Sequence, residues 1–563
     1  MKVKNKILKI LILITLFVAL FSGGLYFLYG DKLAIIGNNL NLVVDFSTHD
    51  LFKEKHREIN VLKYKIDIEL FPNDKKIIAE TKVIGVIKKN IKKQIVLDFY
   101  DNFNINSVLV NDKAAKYKFD DNQIFIENNN TKSDSFEVSI AYEGTPENLG
   151  FGSFAFTEWN NNIMISTLNE PIFASTWFPC NDTPSDKALL GISITVDSNF
   201  ISVSNGKLIS VESKGEKKKY NWSTVYPIAT YLIAIYSAPY KSFSQKYISS
   251  LGDTMDVDYY VLQDKFEDAE VAFSDHPTYL RVLSDLYGEY PFIREKYGVA
   301  QITWNLGAME SQTITGIGTN FISKAKFFSS MMLHETSHSW WGNSVTPKSW
   351  KDIWLNEGFA TYSEALYWEK IKGESALAST MASFGVNNNI ETLYAPEINI
   401  FSKMIYNKGA WVLHMLRKEL GDTLFFKTLR NYYQKFKYGN ADTYDFKKVC
   451  EETSGKDFTK FFDQWVFTGK GIIEIDYKWK VKNSGTDKKK LYISLSQTQS
   501  GYDCYNFPLD ILIKSINGNE FISTNYIISR DTTLSLNIPD EFSYLELDPG
   551  NWLLASVNLI GDN

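Results

Sequence analysis

Histidine is scarce in this chain, six residues in 563, and two of the six stand four apart in His334-Glu335-Thr336-Ser337-His338. On a helix that spacing stacks the two imidazoles one above the other, so both can reach a single ion. Glu335, one residue along, then points toward the ion's open position, where it can act as a base on water. The plain alternative is a pair of histidines packed on an amphipathic helix. Eighteen residues separate His338 from Glu357, which lies in Trp354-Leu355-Asn356-Glu357-Gly358. A second helix over residues 353–371 would present Glu357 beside the first and complete a donor set of two histidines and one glutamate. Such a set keeps one coordination position for water or substrate, as catalytic rather than structural zinc sites do.

Two helices so placed need a frame, and the chain supplies three kinds of pattern. From Val61 to about residue 246, short alternating runs such as Tyr64-Lys65-Ile66-Asp67-Ile68-Glu69-Leu70 are broken by turns such as Pro72-Asn73-Asp74. They predict an all-β block, with further strands at 192–196 and 231–235. From about 266 to 467 helical periods dominate, clearest between Ala410 and Leu420. Alternation returns in Ile473-Glu474-Ile475 and Leu491-Tyr492-Ile493, predicting a small β domain of ordinary size. The reading is an α+β multidomain protein: 1–31 stub and anchor, 32–58 connector, 59–246 N-terminal β domain, 247–470 catalytic domain, 471–563 C-terminal β domain.

Composition narrows the class. Apolar residues make up 44% and charged residues 22%, which is globular, and a net charge of −6 speaks against nucleic acid as partner. Three cysteines, Cys180, Cys450 and Cys504, are too few for a disulfide scaffold or a four-thiolate cluster. Lys2, Lys4, Lys6 and Lys9 precede an uncharged run over 10–30. Its 21 residues span ~30 Å as a helix, the depth of a bilayer's hydrocarbon core. The lysines place the rest of the chain outside. A single-pass cell-membrane protein with an extracellular catalytic domain is expected, against the alternative of secretion after cleavage near Ser22-Gly23-Gly24. The runs Lys217-Lys218-Lys219 and Lys488-Lys489-Lys490 read as solvated hairpin turns.

The stretch from His334 to Asn343, followed by Trp354-Leu355-Asn356-Glu357-Gly358, resembles the zinc aminopeptidase family of aminopeptidase N and leukotriene A hydrolase. Further motifs stand in family order. Gly307-Ala308-Met309-Glu310-Ser311 is similar to the exopeptidase motif, with Ser where the family has Asn. Tyr406-Asn407-Lys408-Gly409 matches the segment of the family's catalytic tyrosine. Trp177-Phe178-Pro179-Cys180-Asn181-Asp182 resembles another signature, and Glu170 stands ten residues before Cys180. Together they cover roughly residues 60–470; beyond Gly471 the likeness is weak.

The resemblance implies an N-terminal saddle-like β domain, a thermolysin-like, mainly helical catalytic domain, and one Zn²⁺ per chain held by His334, His338 and Glu357. It implies Glu335 as general base and Tyr406 as oxyanion donor. Glu170 and Glu310 would bind the substrate's α-ammonium, with Gly307, Ala308 and Met309 running beside its backbone. Peptides with a free N-terminus are the expected substrates of an expected monomer. The rivals are an inactive surface binding protein on the same fold and a zinc hydrolase of a non-peptide substrate. The remaining histidines, His49, His56, His276 and His414, have no ligand partner at useful spacing, and His414 reads as a packed or surface residue. Cys180 reads as a core filler.

Overall fold

The computed structural model describes residues 51–52, 58–87, 94–128, 133–386, 391–397, 399–483, 489–539 and 542–560. The run 10–30, His49 and His56 lie outside the described residues. Among the described residues, no helix is long and apolar enough to cross a membrane.

Strand Ile59–Phe71 shows how the N-terminal β region is built. Tyr64, Ile66, Ile68 and Leu70 are buried while Lys65, Asp67 and Glu69 face out. A register shift between Val61 and Lys63 keeps Val61 on the buried face as well, the effect of a bulge. This strand sits centrally in an eight-stranded sheet, antiparallel to Lys76–Ile87 and parallel to Leu189–Asp197. A four-stranded sheet, Ile201–Ser204, Ile235–Ala238, Asn162–Leu168 and Ser153–Trp159, carries the chain toward Glu170. The strand expected over 231–235 is displaced: Thr230–Leu232 form a 3-10 turn and the strand starts at Ile235. The lysines 217–219 are not a turn either. They open strand Lys217–Ser223, where Lys217 pairs with Glu69 and Lys219 with Asp67 at 2.7 Å.

The boundary expected after 246 falls inside strand Lys241–Ile248, which pairs with Thr254–Val261 in a five-stranded sheet of the next region. Tyr297–Ile302 and Thr315–Gly318 run parallel within it, and the short strand Ala308–Met309 forms its edge. All six residues of Tyr297–Ile302 are buried. A strand covered on both faces shows no alternation, which is why helical periods dominate the sequence pattern there. Four helices matter for the site: α1 (His276–Tyr287), α2 (Ser329–Ser337), α3 (Trp354–Lys372) and α4 (Lys403–Leu420). Beyond Ile473, a four-stranded and a three-stranded sheet form the C-terminal β region. It grips α4 through Lys418–Asp510, 2.5 Å apart, and through Trp552 stacked on His414.

Candidate metal centre

Helix α2 is buried on nearly every side from Met332 onward. Thr336 and Ser337 return their hydroxyls to the Met332 and Leu333 carbonyls, each at 2.7 Å. Tyr297 of the sheet meets the Thr336 hydroxyl at 3.1 Å, which fixes the helix's rotation. His334 and His338 are thereby turned toward a cavity of about 200 Å³, which Glu357 of α3 also lines.

The three donors converge. His334 Nε2 and His338 Nε2 lie 3.3 and 3.5 Å from Glu357 Oε2. Tetrahedral zinc with ligand bonds of ~2.05 Å has edges of ~3.3 Å, so the two edges that meet at Glu357 already have a length that suits a zinc site. Each ring is locked through its other nitrogen. His334 Nδ1 meets Glu364 Oε1 at 3.0 Å, and His338 Nδ1 donates to the Trp341 carbonyl at 3.0 Å. That arrangement leaves both Nε2 atoms for an ion and sets their direction. Two imidazoles and a carboxylate suit zinc rather than an oxygen-seeking cation such as Mg²⁺ or Ca²⁺.

Charge makes the same demand. Glu170, Glu310, Glu335 and Glu357 all line this cavity, and among the described residues no Lys or Arg does. Burial, reinforced by Glu310, Glu357 and Glu335, raises the Glu170 carboxyl well above the usual range. Burial likewise raises Glu310, against the pull of His338. Glu335 is lifted to about 7 by burial although both imidazoles pull it down. Burial opposes ionisation of Glu357 too, but His338 and His334 hold it at about 2. A compact cluster of buried acids around two histidines is a site for a cation.

Each residue expected from the sequence to hold metal, act in catalysis or bind substrate lines this cavity except Gly307, whose carbonyl instead accepts the Gly318 N–H at 3.0 Å. Glu170 and Glu310 bring carboxylate oxygens within 4.8 Å of each other and of Glu357. Each keeps one buried oxygen, Oε1, without a hydrogen-bond partner. Asn169 holds the start of the Glu170 turn, donating to the Ile233 carbonyl at 2.6 Å and accepting from Trp177 Nε1 at 3.0 Å. Asn343 donates to the Glu310 carbonyl at 2.7 Å, and Lys187 in turn donates to the Asn343 carbonyl at 2.8 Å. Ser311, where the family has Asn, meets the Tyr236 hydroxyl at 3.0 Å.

Tyr406 reaches the cavity because α3 and α4 touch backbone to backbone. A β-carbon on Gly409 would lie 2.7 Å from Gly358 Cα, closer than side-chain packing permits. The crossing sits beside Glu357 and one turn from Tyr406, whose ring lies 5.7 Å from that of His334 and nearly parallel to it. Burial and the carboxylates, Glu357 foremost, raise the Tyr406 hydroxyl well above 10, so it is a donor at neutral pH. Lys408, buried and lowered by burial to about 7, ties α4 to the Gly469 carbonyl at 2.8 Å.

Sequence reasoning missed Glu364, although it stands seven residues, two helical turns, beyond Glu357 on α3. It also missed Phe151, Trp304 and Phe401 on the cavity wall. Those rings come from three distant segments and leave no shared pattern.

Comparison with known proteins meets this geometry from outside. Residues 272–465 match the Peptidase family M1 domain and residues 60–232 the Peptidase M1 N-terminal domain, together well over half of the chain. A relative described as probable aminopeptidase 2, from Sulfurisphaera tokodaii, is 27% identical over 395 residues, covering 66% of this chain and 49% of its own. The chain spans about half the length of the curated relatives it matches. Among solved structures, Legionella pneumophila aminopeptidase A superposes with a TM-score of 0.78 at 16% identity, over 91% of this chain and 60% of that one. An M1 zinc metallopeptidase from Deinococcus radiodurans gives 0.65 at 23% identity, over 75% of this chain and 96% of that one. At such identities the two superpositions speak for the fold.

Proposed function

Because the chain belongs to peptidase family M1, we propose that it is a zinc-dependent aminopeptidase, releasing residues singly from the N-terminus of peptides. The observation that carries this reading is the pair Glu170 and Glu310, buried and each holding an unpartnered oxygen beside the metal donors. An ammonium between two carboxylates, ~2.8 Å from each, makes strong charge-assisted bonds that an internal peptide cannot make.

Zinc on His334, His338 and Glu357 would supply the Lewis acidity that polarises a scissile carbonyl and activates water. The remaining work falls to side chains. Glu335 takes the proton of the attacking water and returns it to the departing amine. Tyr406 donates its hydroxyl to the oxygen that gains negative charge. Ala308–Met309, the open edge of its sheet, offers backbone groups to an extended substrate. The complete donor set and the ammonium pair argue against an inactive binding protein and against a non-peptide substrate. The uncharged run over 10–30, with its leading lysines, supports an uncleaved anchor and an outward-facing catalytic domain.

N-acetylation of the substrate tests the reading. Removing the charge leaves two desolvated carboxylates unpaired, and kcat/KM should fall by ~10³ or more. Glu310→Ala should cripple the free-amine peptide and narrow the gap between the two. Efficient cleavage of acetylated or internal bonds by the wild-type protein would make it an endopeptidase.

A further inference from the structure

The loop that follows α2 touches three parts of the site within three residues. The Trp341 carbonyl accepts from His338 Nδ1 at 3.0 Å and so directs the ring that offers Nε2 to an ion. Gly342, at φ +116°, lies flush against the neighbours of two donors. A β-carbon there would stand 3.4 Å from His338 Nδ1 and 3.1 Å from Nδ2 of Asn356, the residue before Glu357. Asn343 then donates Nδ2 to the Glu310 carbonyl at 2.7 Å. Wherever this loop sits, the His338 ring and the Glu310 main chain sit with it.

The loop is pinned from a different region of the chain. Lys187, two residues before strand Leu189–Asp197, donates Nζ to the Asn343 and Ser344 carbonyls at 2.8 and 3.0 Å, and lies 3.5 Å from that of Gly439. A lysine head has donors only, and here they meet main-chain oxygens, so the side chain fixes backbone rather than another side chain. Its own base is firm. Asp186, the residue before, accepts the Val61 N–H of the first strand at 3.2 Å on each carboxylate oxygen. Asn440 Nδ2 donates to the Pro184 carbonyl at 2.8 Å. Tyr231 of the same β region adds a second hold, donating its hydroxyl to the Gly342 carbonyl at 3.2 Å and accepting from Asn356 Nδ2 at 3.4 Å.

We propose that Lys187 is a positioning residue: through the loop over residues 341–344, the N-terminal β region sets the direction of His338 and the place of Glu310 together. Lys187 does not line the cavity, and it acts on both groups through main chain. The part concerning Glu310 rests on the aminopeptidase reading, since that acid matters only where an ammonium binds. The part concerning His338 needs only the metal. Without the lysine's donors, two carbonyls must find other partners, and the loop is free to shift toward them. Such a shift turns one imidazole off the ion and withdraws one of the two carboxylates from the substrate's amino group.

Two numbers on the full chain test the proposal: zinc affinity, by competition with a fluorescent chelator, and the ratio of kcat/KM on alanine 4-nitroanilide to that on its N-acetyl form. Lys187→Met keeps the stem and removes the donors. It should weaken zinc binding ~10-fold, the usual cost of losing a group that orients a ligand. It should also shrink the free-to-acetylated ratio ~10-fold, mainly by raising KM on the free amine. Asn343→Ala should shrink that ratio as much and leave zinc affinity unchanged, because the carbonyls that Lys187 holds remain. A Lys187→Met protein that melts earlier yet keeps both numbers would make the lysine a structural tie and overturn the proposal. So would weakened zinc binding beside an unmoved ratio. Lys187→Gln is read by the same two numbers if the Met variant does not fold. A wild-type protein without preference for the free amine would bring down the aminopeptidase reading instead. Zinc affinity in Lys187→Met would then decide for or against the lysine's hold on His338.

Discussion

Two pairs of buried histidines in this molecule behave oppositely. His276 sits among the rings of Tyr259, Phe273, Tyr279 and Tyr297, all within 5.7 Å, and burial lowers it to about 4. His414 lies flat on Trp552 at 4.4 Å and is lowered to about 3 by burial, with Arg417 adding to it. His338 is just as buried, yet Glu310 and Glu357 outweigh burial and raise it to about 9. His334 rises well above its ordinary value through Glu357 and Glu364, also against burial. The comparison separates burial from company. Aromatic neighbours make an imidazole neutral packing material, while carboxylates make it part of a site that calls for a positive charge.

The largest expected effect tests whether the carboxylate-flanked histidines, His334 and His338, belong to a reacting site. Glu335→Gln should lower turnover ~10³–10⁴-fold while the protein keeps about one zinc per chain, because the base is not a donor. His338→Ala should lose the metal, and His414→Gln should keep it. Elemental analysis beside rate measurements decides, and loss of zinc from the Glu335 variant would return that residue to the donor set. Next in size, Tyr406→Phe should lower kcat ~10²–10³-fold with little change in KM, the mark of a contact made in the transition state. A change confined to KM would remove Tyr406 from the mechanism.

The smallest effect sharpens the aromatic side of the contrast. The His414 pKa of about 3 in the folded chain lies below its ordinary 6.5. Its neutral form is therefore favoured by folding: the stabilisation is complete above ~6.5 and is lost as pH falls toward ~3. Between pH 7 and pH 5 the wild-type protein should lose ~2 kcal/mol more than His414→Gln, as read by denaturant melts at the two pH values. Parallel losses in both proteins would show that His414 does not titrate on unfolding.

How legible all this was depends on how locally each feature is written. The donors His334, His338 and Glu357 lie on two neighbouring helices within one short stretch, so spacing alone projects them to a common point. Helix α3 spans Trp354–Lys372, one residue from the expected bounds. The edge strand Ala308–Met309 and its sheet were not readable from period, since strands such as Tyr297–Ile302 bury both faces. The aromatic part of the cavity wall was beyond reach for another reason. Phe151, Trp304 and Phe401 are ordinary loop residues until the tertiary fold brings the Trp304 and Phe401 rings within 5.5 Å of that of Phe151. Lys217 and Lys219 misled because a charged run in a strand pairs across it as readily as it marks a turn.

The contact between Gly358 and Gly409 has a bearing on how this protein tolerates change over generations. Where two helices meet through side chains, each replacement alters their spacing slightly, and drift in the interior becomes drift at the reactive groups. Here the separation beside the donors is set by main chain against main chain, while farther along α3 and α4 meet through side chains, Tyr362 with His414 and Glu369 with Arg417. Interior residues on turns away from that crossing can thereby vary, at some loss of stability, with less effect on the distance from Tyr406 to the donors. The burden of constancy is concentrated on two positions with no side chain at all.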